Sequence, residues 1–225
     1  MIAMNASVTN TARLLGAGLR ALLVLTLVTG VVYPLVVTGI AQALFPGRAN
    51  GSEIRADGKV VGSSLIGQPY DLPLKKGQQT PEPDLRWFQG RPANGLGTNT
   101  VNTQYHLILS GATNLAADSK VLLRQVEDAK AAVVRDNSVP GHTVEPSEVP
   151  ADAVTSSGSG LDPDISPAYA ALQAPRVAAR NHLPLARVEQ LVRDHTTGRT
   201  LGFLGEPRVN VLELNVALKD LAAKS

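Results

Sequence analysis

The chain has 225 residues, 21 Lys and Arg against 19 Asp and Glu, and no cysteine, which excludes disulfide scaffolding, thiolate catalysis and Cys-ligated zinc. Residues 1–48 contain Arg13, Arg20 and Arg48 and no acid, so the rest of the chain is slightly acidic. The basic pI near 9.0 therefore belongs to the N-terminal segment and supplies no basic face for a nucleic acid.

Residues 21–47 carry no charged side chain. A spanning helix needs roughly 20 mostly apolar residues to cross about 30 Å of hydrocarbon. This run predicts one transmembrane helix over 19–45, a short cytoplasmic N-terminus over 1–18 and one soluble domain over 46–225. Ala41-Gln42-Ala43 matches a signal-peptidase site, but a signal peptide's apolar core is about 7–15 residues and this one is longer, which favours an uncleaved anchor. Arg13 and Arg20 precede the span without an acid, whereas Glu53, Arg55, Asp57, Lys59, Asp71, Lys75 and Lys76 mix beyond it. The positive-inside bias places the N-terminus in the cytoplasm and the domain outside.

Within the span Thr26, Gly30, Pro34 and Thr38 recur every four residues, with Ala41 one turn further. Small residues let membrane helices approach closely and Thr can hydrogen-bond between them, so the stripe predicts a helical membrane partner. Gly and Pro are also commoner in membrane helices generally. Pro34 removes a helix hydrogen bond and predicts a kink.

Beyond the span, residues 54–61 read as a hairpin turning at Asp57-Gly58. Residues 62–104 are rich in Gly, Pro, Asn and Gln and read as long ordered loops, a length that points to function or docking. From Ser119 to Asp136, Val121, Leu122, Val126, Ala129 and Val133 keep a helical period, with Pro140 beyond the end. Ser166-Pro167 supplies an N-cap and a first-turn proline, and Pro175 is expected to interrupt that helix. Leu183-Pro184 opens another helix ending near Gly198, and residues 199–204 suit a strand. Asn210 with Glu213 forms a capping box ahead of a final helix whose Val211, Leu214, Leu218 and Leu221 share a face. The expected fold class is α+β: one transmembrane helix, then a single mixed α/β extracytoplasmic domain without internal repeats.

Chemistry-bearing motifs are sparse. The loop Ser157-Gly158-Ser159-Gly160 lacks the lysine of a P-loop, and Ser157 stands where a nucleophile elbow needs glycine. Asp162 and Asp164 offer two carboxylates where a hard cation needs about six oxygens. His106, His142, His182 and His195 include no i, i+4 pair. Ser110 and Asn114 are candidate caps for the long helix, whose start is also a place for an anion. Trp87-Phe88 beside Arg91 reads either as a contact patch or as core.

Taken together, several blocks resemble the C subunit of the Kdp high-affinity potassium-transporting ATPase. They begin with Thr29 to Leu35, including Tyr33, then Phe45-Pro46 and Ala49 to Ser52. They continue with Gly62 to Gln68, including Gly67, then Arg91-Pro92 and the run Ser110-Gly111-Ala112-Thr113-Asn114-Leu115. Val154 to Pro163 follows, including Ser157, Gly158 and Asp162, then Ile165-Ser166-Pro167, Gln173 to Ala178 with Arg176, and Val209 to Asn215 with Asn210 and Asn215. The blocks stand in family order from the span to the last helix. Trp87, Ala93, Thr113 and Asp164 depart from the family's usual residues.

The resemblance implies a non-catalytic accessory subunit of a bacterial inner-membrane potassium pump. Its implied partners are a potassium-selective channel-like subunit, a P-type ATPase subunit and a small membrane peptide, besides the lipid bilayer. It also implies a need for this subunit in assembly, and a catalytic-chaperone role that raises the ATPase subunit's affinity for ATP. No cofactor is expected on this chain itself; ATP belongs to the ATPase subunit. The segment Leu109 to Asn114 is likened in the family to a nucleotide-sensing signature, yet an outside domain faces no ATP. Any effect on ATP affinity then travels as a coupling free energy through the membrane helices. The competing class is a membrane-anchored extracytoplasmic hydrolase or binding module, which predicts a deep pocket with convergent titratable groups.

Overall fold

The computed structural model describes residues 2–78, 80–98 and 108–224. His106 and the stretch 99–104 of the expected loops lie outside them. The chain forms two compact units, one through Ser52 and one from Glu53 onward.

In the first unit, α1 (Ile2–Leu27), a π-helical segment (Val28–Val32) and α2 (Tyr33–Leu44) follow one another without a break. The part from Val8 to Leu44 spans 37 residues, and its most apolar 18-residue stretch has a mean hydropathy of 2.3 with none of it buried, long and apolar enough to cross a membrane. The helix includes the residues read from sequence as a separate N-terminal segment. The π turn immediately precedes Tyr33 and Pro34. Tyr33 N donates to Val28 O, five residues back, and Pro34, next in the chain, has no N–H to give. Thr29 Oγ1 donates back to Leu25 O at 2.7 Å. A short α3 (Pro46–Ala49) follows, and the Gln42 and Asn50 amides bond to each other at 3.0 and 3.2 Å.

The second unit opens with the hairpin β1 (Glu53–Ala56) and β2 (Lys59–Ser63), paired Ala56 to Lys59 and Arg55 to Val60. Its turn residues Asp57 and Gly58 have φ of 51° and 73°, the left-handed pair that a two-residue turn requires. Irregular chain follows, as expected from its composition, apart from β3 (Gly97–Thr98) pairing antiparallel with β4 (Ile108–Leu109). Helix α4 (Lys120–Asn137) starts at Ser119, whose side chain accepts from Leu122 N. Then come β5 (Asp164–Ile165), α5 (Pro167–Arg180), α6 (Leu185–Asp194), β6 (Thr196–Thr197), β7 (Arg208–Asn210) and α7 (Val211–Ala223). The last three strands form an antiparallel sheet in the order β5-β7-β6.

The core gathers Phe88, Ile165, Ala170, Ala174, Val177, Val188, Val209, Leu214 and Leu218. Small residues on the buried face of α5 let α6 pack close against it. Two expectations are corrected. Helix α5 continues through Pro175, because Ala174, Arg176 and Val177 around it are all buried and their packing outweighs the lost backbone bond. Residues 199–204 form a tight loop instead of a strand, because Leu201 and Gly202 adopt φ of 55° and 83°.

Candidate functional site

Within the second unit, five residues of the family-like blocks, Ser157, Asp162, Gln173, Arg176 and Asn215, converge on an irregular stretch, Asp84 to Pro92, which lacks strand or helix structure. A backbone buried in that state must find partners for its N–H and C=O groups. Side chains supply them. Asn215 on α7 accepts from Phe88 N and donates to Phe88 O, both at 2.9 Å. Gln173 on α5 treats Gln89 the same way, at 2.7 and 3.1 Å. Each amide thus mimics a neighbouring strand. Arg176, one turn after Gln173, donates to Leu85 O, to Trp87 O at 3.0 Å, to Asn137 Oδ1 at 2.9 Å and to Gln173 Oε1 at 2.7 Å. Gln173, Arg176 and Asn215 are 0, 1 and 2 % exposed. The acceptors found for the guanidinium are neutral, and burial pulls its pKa down to about 10, which leaves it charged at neutral pH.

A second set of bonds ties the far end of this stretch to the loop 155–162. Arg91 Nη1 meets Asp162 Oδ2 at 2.8 Å, the two side chains 25 and 30 % exposed. Pro92 O accepts from Ser157 N at 3.0 Å and from Ser156 Oγ at 3.2 Å. Ser157 Oγ lies 3.2 Å from Ser159 Oγ, while Gly158 stands clear of its surroundings. The glycine-serine run is a tight loop stitched to its neighbours. Ser110 Oγ and Gly111 N both donate to Ser159 O, at 2.8 and 3.0 Å. Asn114 turns its amide back to Ala112 O. Neither Ser110 nor Asn114 caps α4, which corrects that expectation; Ser119 does so, being adjacent to the first turn.

Gly67 sits where a Cβ would come within 2.4 Å of Asp162 O, and its own N–H bonds Leu161 O at 2.8 Å. Gln68 donates to Val61 O at 3.0 Å. Asn210 caps α7 by accepting from Glu213 N at 3.1 Å and donates to Ser64 O at 2.8 Å. Asp164 pairs with Arg208 at 3.1 Å, so the two carboxylates of the Asp-Pro-Asp run hold separate ion pairs. Phe88 is core, and Trp87 is half-buried beside Tyr70, ring centroids 6.1 Å apart.

Two cavities of about 300 and 320 Å³ flank Gln89, Gly90 and Arg91 from either side. The first is bounded by Tyr169, Arg176 and Asp136, the second by Gln68, Asp71 and Asp162. His142, His182 and His195 line neither. Among the described residues no group of three His, Cys, Asp or Glu is placed to hold a metal. The Gln173 and Asn215 amides bond backbone, while Arg176 bonds both backbone and the side chains of Asn137 and Gln173. Sequence reasoning passed over Asn137 and Gln89, and met Gln173 only as part of a block. The signal for Gln173 was a polar residue on the same helical face as Ala170, Ala174 and Val177.

In the first unit, the stripe residues and Tyr33 flank or occupy the π turn. An α-helix advances about 100° per residue, so four-residue steps drift by about 40° each. The π turn advances less per residue.

The family model described as K+-transporting ATPase, c chain (KdpC), matches residues 15–220, covering span and domain together. The chain is 78 % identical over 220 residues to a potassium-transporting ATPase KdpC subunit of Streptomyces coelicolor, covering 98 % of each. It is 75 % identical over 222 residues to that of Streptomyces avermitilis, covering 99 % of this chain and all of that one. The corresponding subunit of Gemmatimonas aurantiaca is 47 % identical over 211 residues, 92 % of this chain and 94 % of its own. With anchor and domain matched end to end in this way, the chain belongs to the KdpC family, the c chain of K+-transporting ATPases.

Proposed function

We propose that the chain is a non-catalytic accessory subunit of an ATP-driven potassium uptake pump in the bacterial cell membrane. Its work is assembly, together with raising the ATP affinity of the P-type ATPase subunit. The observation that carries this reading is the match over 15–220, in a chain whose buried Gln173, Arg176 and Asn215 hold the backbone of residues 85–89 in place. The partners are a channel-like potassium-selective subunit, the P-type ATPase subunit and a small membrane peptide, with ATP held by the ATPase subunit.

Arg13 and Arg20 before the span favour a cytoplasmic N-terminus and an outside domain. The face carrying Thr26, Gly30, Pro34, Thr38 and Ala41 docks on the channel-like subunit, and the domain covers that subunit's outer mouth. An outside domain acts on ATP affinity at a distance, through the membrane helices. A pull-down of the tagged full-length chain from native membranes in mild detergent, read by mass spectrometry, tests the reading. Near-equal recovery of a P-type ATPase and a channel-like membrane protein is expected. Recovery of the chain alone, from cells expressing those partners, would overturn it in favour of a membrane-anchored extracytoplasmic hydrolase or binding module.

A further inference from the structure

We propose that the loop 199–206 is an apolar plug that seats in an uncharged cavity of another protein subunit of the ATPase; the inference rests on the assembly reading above. The loop joins β6 to β7, two antiparallel neighbours, with β6 at the sheet edge. Its neck is closed by an Arg199–Glu206 ion pair at 2.8 Å and by reciprocal Thr200 and Leu204 backbone bonds, both 2.9 Å. Gly202 N to Arg199 O at 3.1 Å tightens the turn further. At the tip Leu201, Phe203 and Leu204 are 79, 69 and 51 % exposed.

Single exposed apolar residues are ordinary on a protein surface. Three within four residues, on a tip closed by its own neck, form a concentrated patch. Leu201 adds a second anomaly. It holds φ at +55°, a conformation that suits glycine or asparagine and costs a bulky L-residue roughly 1–2 kcal/mol. A leucine that is both strained and solvated gains nothing within this chain. Strain of this kind points to a function outside it.

The charges choose the occupant. Arg199 is matched by Glu206, and Arg208 by Asp164, so the collar around the tip is neutral. A loop that binds anionic bilayer headgroups relies on unpaired Lys or Arg, and the interfacial belt is built of Trp and Tyr. Residues 199–206 contain no Lys, Trp or Tyr, and their arginine is paired. A neutral apolar knob complements a desolvated apolar socket in a folded protein, where aromatic anchors carry the binding energy. A preformed loop also loses little conformational freedom on docking.

The absence of cysteine provides a clean test. Phe203→Cys and, separately, Leu204→Cys each give a single site for a polarity-sensitive fluorophore on the full-length chain. Emission and iodide quenching are read for the chain alone in phosphatidylethanolamine–phosphatidylglycerol nanodiscs and for the purified pump in the same nanodiscs. The expected result is a blue shift and shielding from iodide in the pump only. In parallel, the Leu201→Ser/Phe203→Ser double variant, its circular dichroism unchanged, lowers the co-purified channel-like and ATPase subunits about thirtyfold, the scale of one hot-spot contact. Shielding in nanodiscs without partners would overturn the proposal in favour of lipid. Full exposure in both states, or normal assembly of the double variant, would also overturn it. If the unsubstituted chain itself recovers no partner, the assembly reading fails first.

Discussion

Asn215 shows what a single side chain does in this domain. Its amide satisfies both backbone groups of Phe88, a residue with no exposure at all, across a sequence separation of 127. Asn215→Ala leaves a buried N–H and a buried C=O without partners, each costing about 1–3 kcal/mol. The expected outcome is a loss of about 2–5 kcal/mol in urea unfolding, with Asn215→Asp not rescuing it, because a carboxylate cannot donate to Phe88 O. Asp84 illustrates the charged counterpart. The Arg86 guanidinium, bonded to it at 2.7 Å, holds its carboxyl below the ordinary value. A depressed folded pKa means stability that is present above the unfolded value near 3.9 and lost as pH falls through the folded one. The stability difference between the unsubstituted chain and Asp84→Asn should therefore be present at neutral pH and vanish in strong acid, as read by thermal melts across that range. Asn215 and Arg176 were legible as members of recognisable blocks, but their role was not. A hydrogen bond between residues 127 apart leaves no periodicity in the sequence.

At the scale of elements, local chemistry decided what could be read. The hairpin at Asp57-Gly58 and the starts of α4, α5 and α7 at Ser119, Ser166 and Asn210 were legible because turn and cap residues act within three or four positions. Residues 199–204 misled, since their composition suits a strand while Leu201 and Gly202 turn the chain in left-handed conformations. Pro175 misled in the opposite direction, because burial of its neighbours is a tertiary effect. The cap at Ser166 extends beyond its own helix. Its hydroxyl accepts from Tyr169 N at 3.0 Å and donates to Asp152 Oδ1 at 2.9 Å, while its N–H meets Asp152 Oδ2 at 2.7 Å. Ser166→Ala should cost about 1–2 kcal/mol, the upper part of the usual range for a cap. Asp152→Ala should cost a comparable amount, and the double variant less than the sum, because the two residues share bonds. A double-mutant cycle in urea checks this; strict additivity would show that Asp152 does not support the cap.

For the whole molecule, the proposed role imposes a thermodynamic constraint. If this subunit raises the affinity of the ATPase subunit for ATP by some factor, ATP must tighten the hold of the assembly on this subunit by the same factor. The membrane helix is the natural carrier, since among the described residues the span is the one part long and apolar enough to cross the bilayer. The stripe offers a way to cut the connection without damaging the chain itself. A Cβ placed on Gly30 meets only Thr26 Cγ2, at 4.0 Å, so a larger side chain there finds open space within the chain. Gly30→Leu with Thr38→Leu should therefore leave the helix and the melting of the domain unchanged, while it blocks close approach of a partner helix. The expected outcome is a drop in complex yield together with loss of the ATP-dependent retention of this subunit on the assembly. Both are measured by comparing subunit ratios after washing the immobilised pump with and without ATP. Unchanged yield and unchanged ATP-dependent retention would show that the stripe is not the docking face, and would move the coupling to the contacts of the domain.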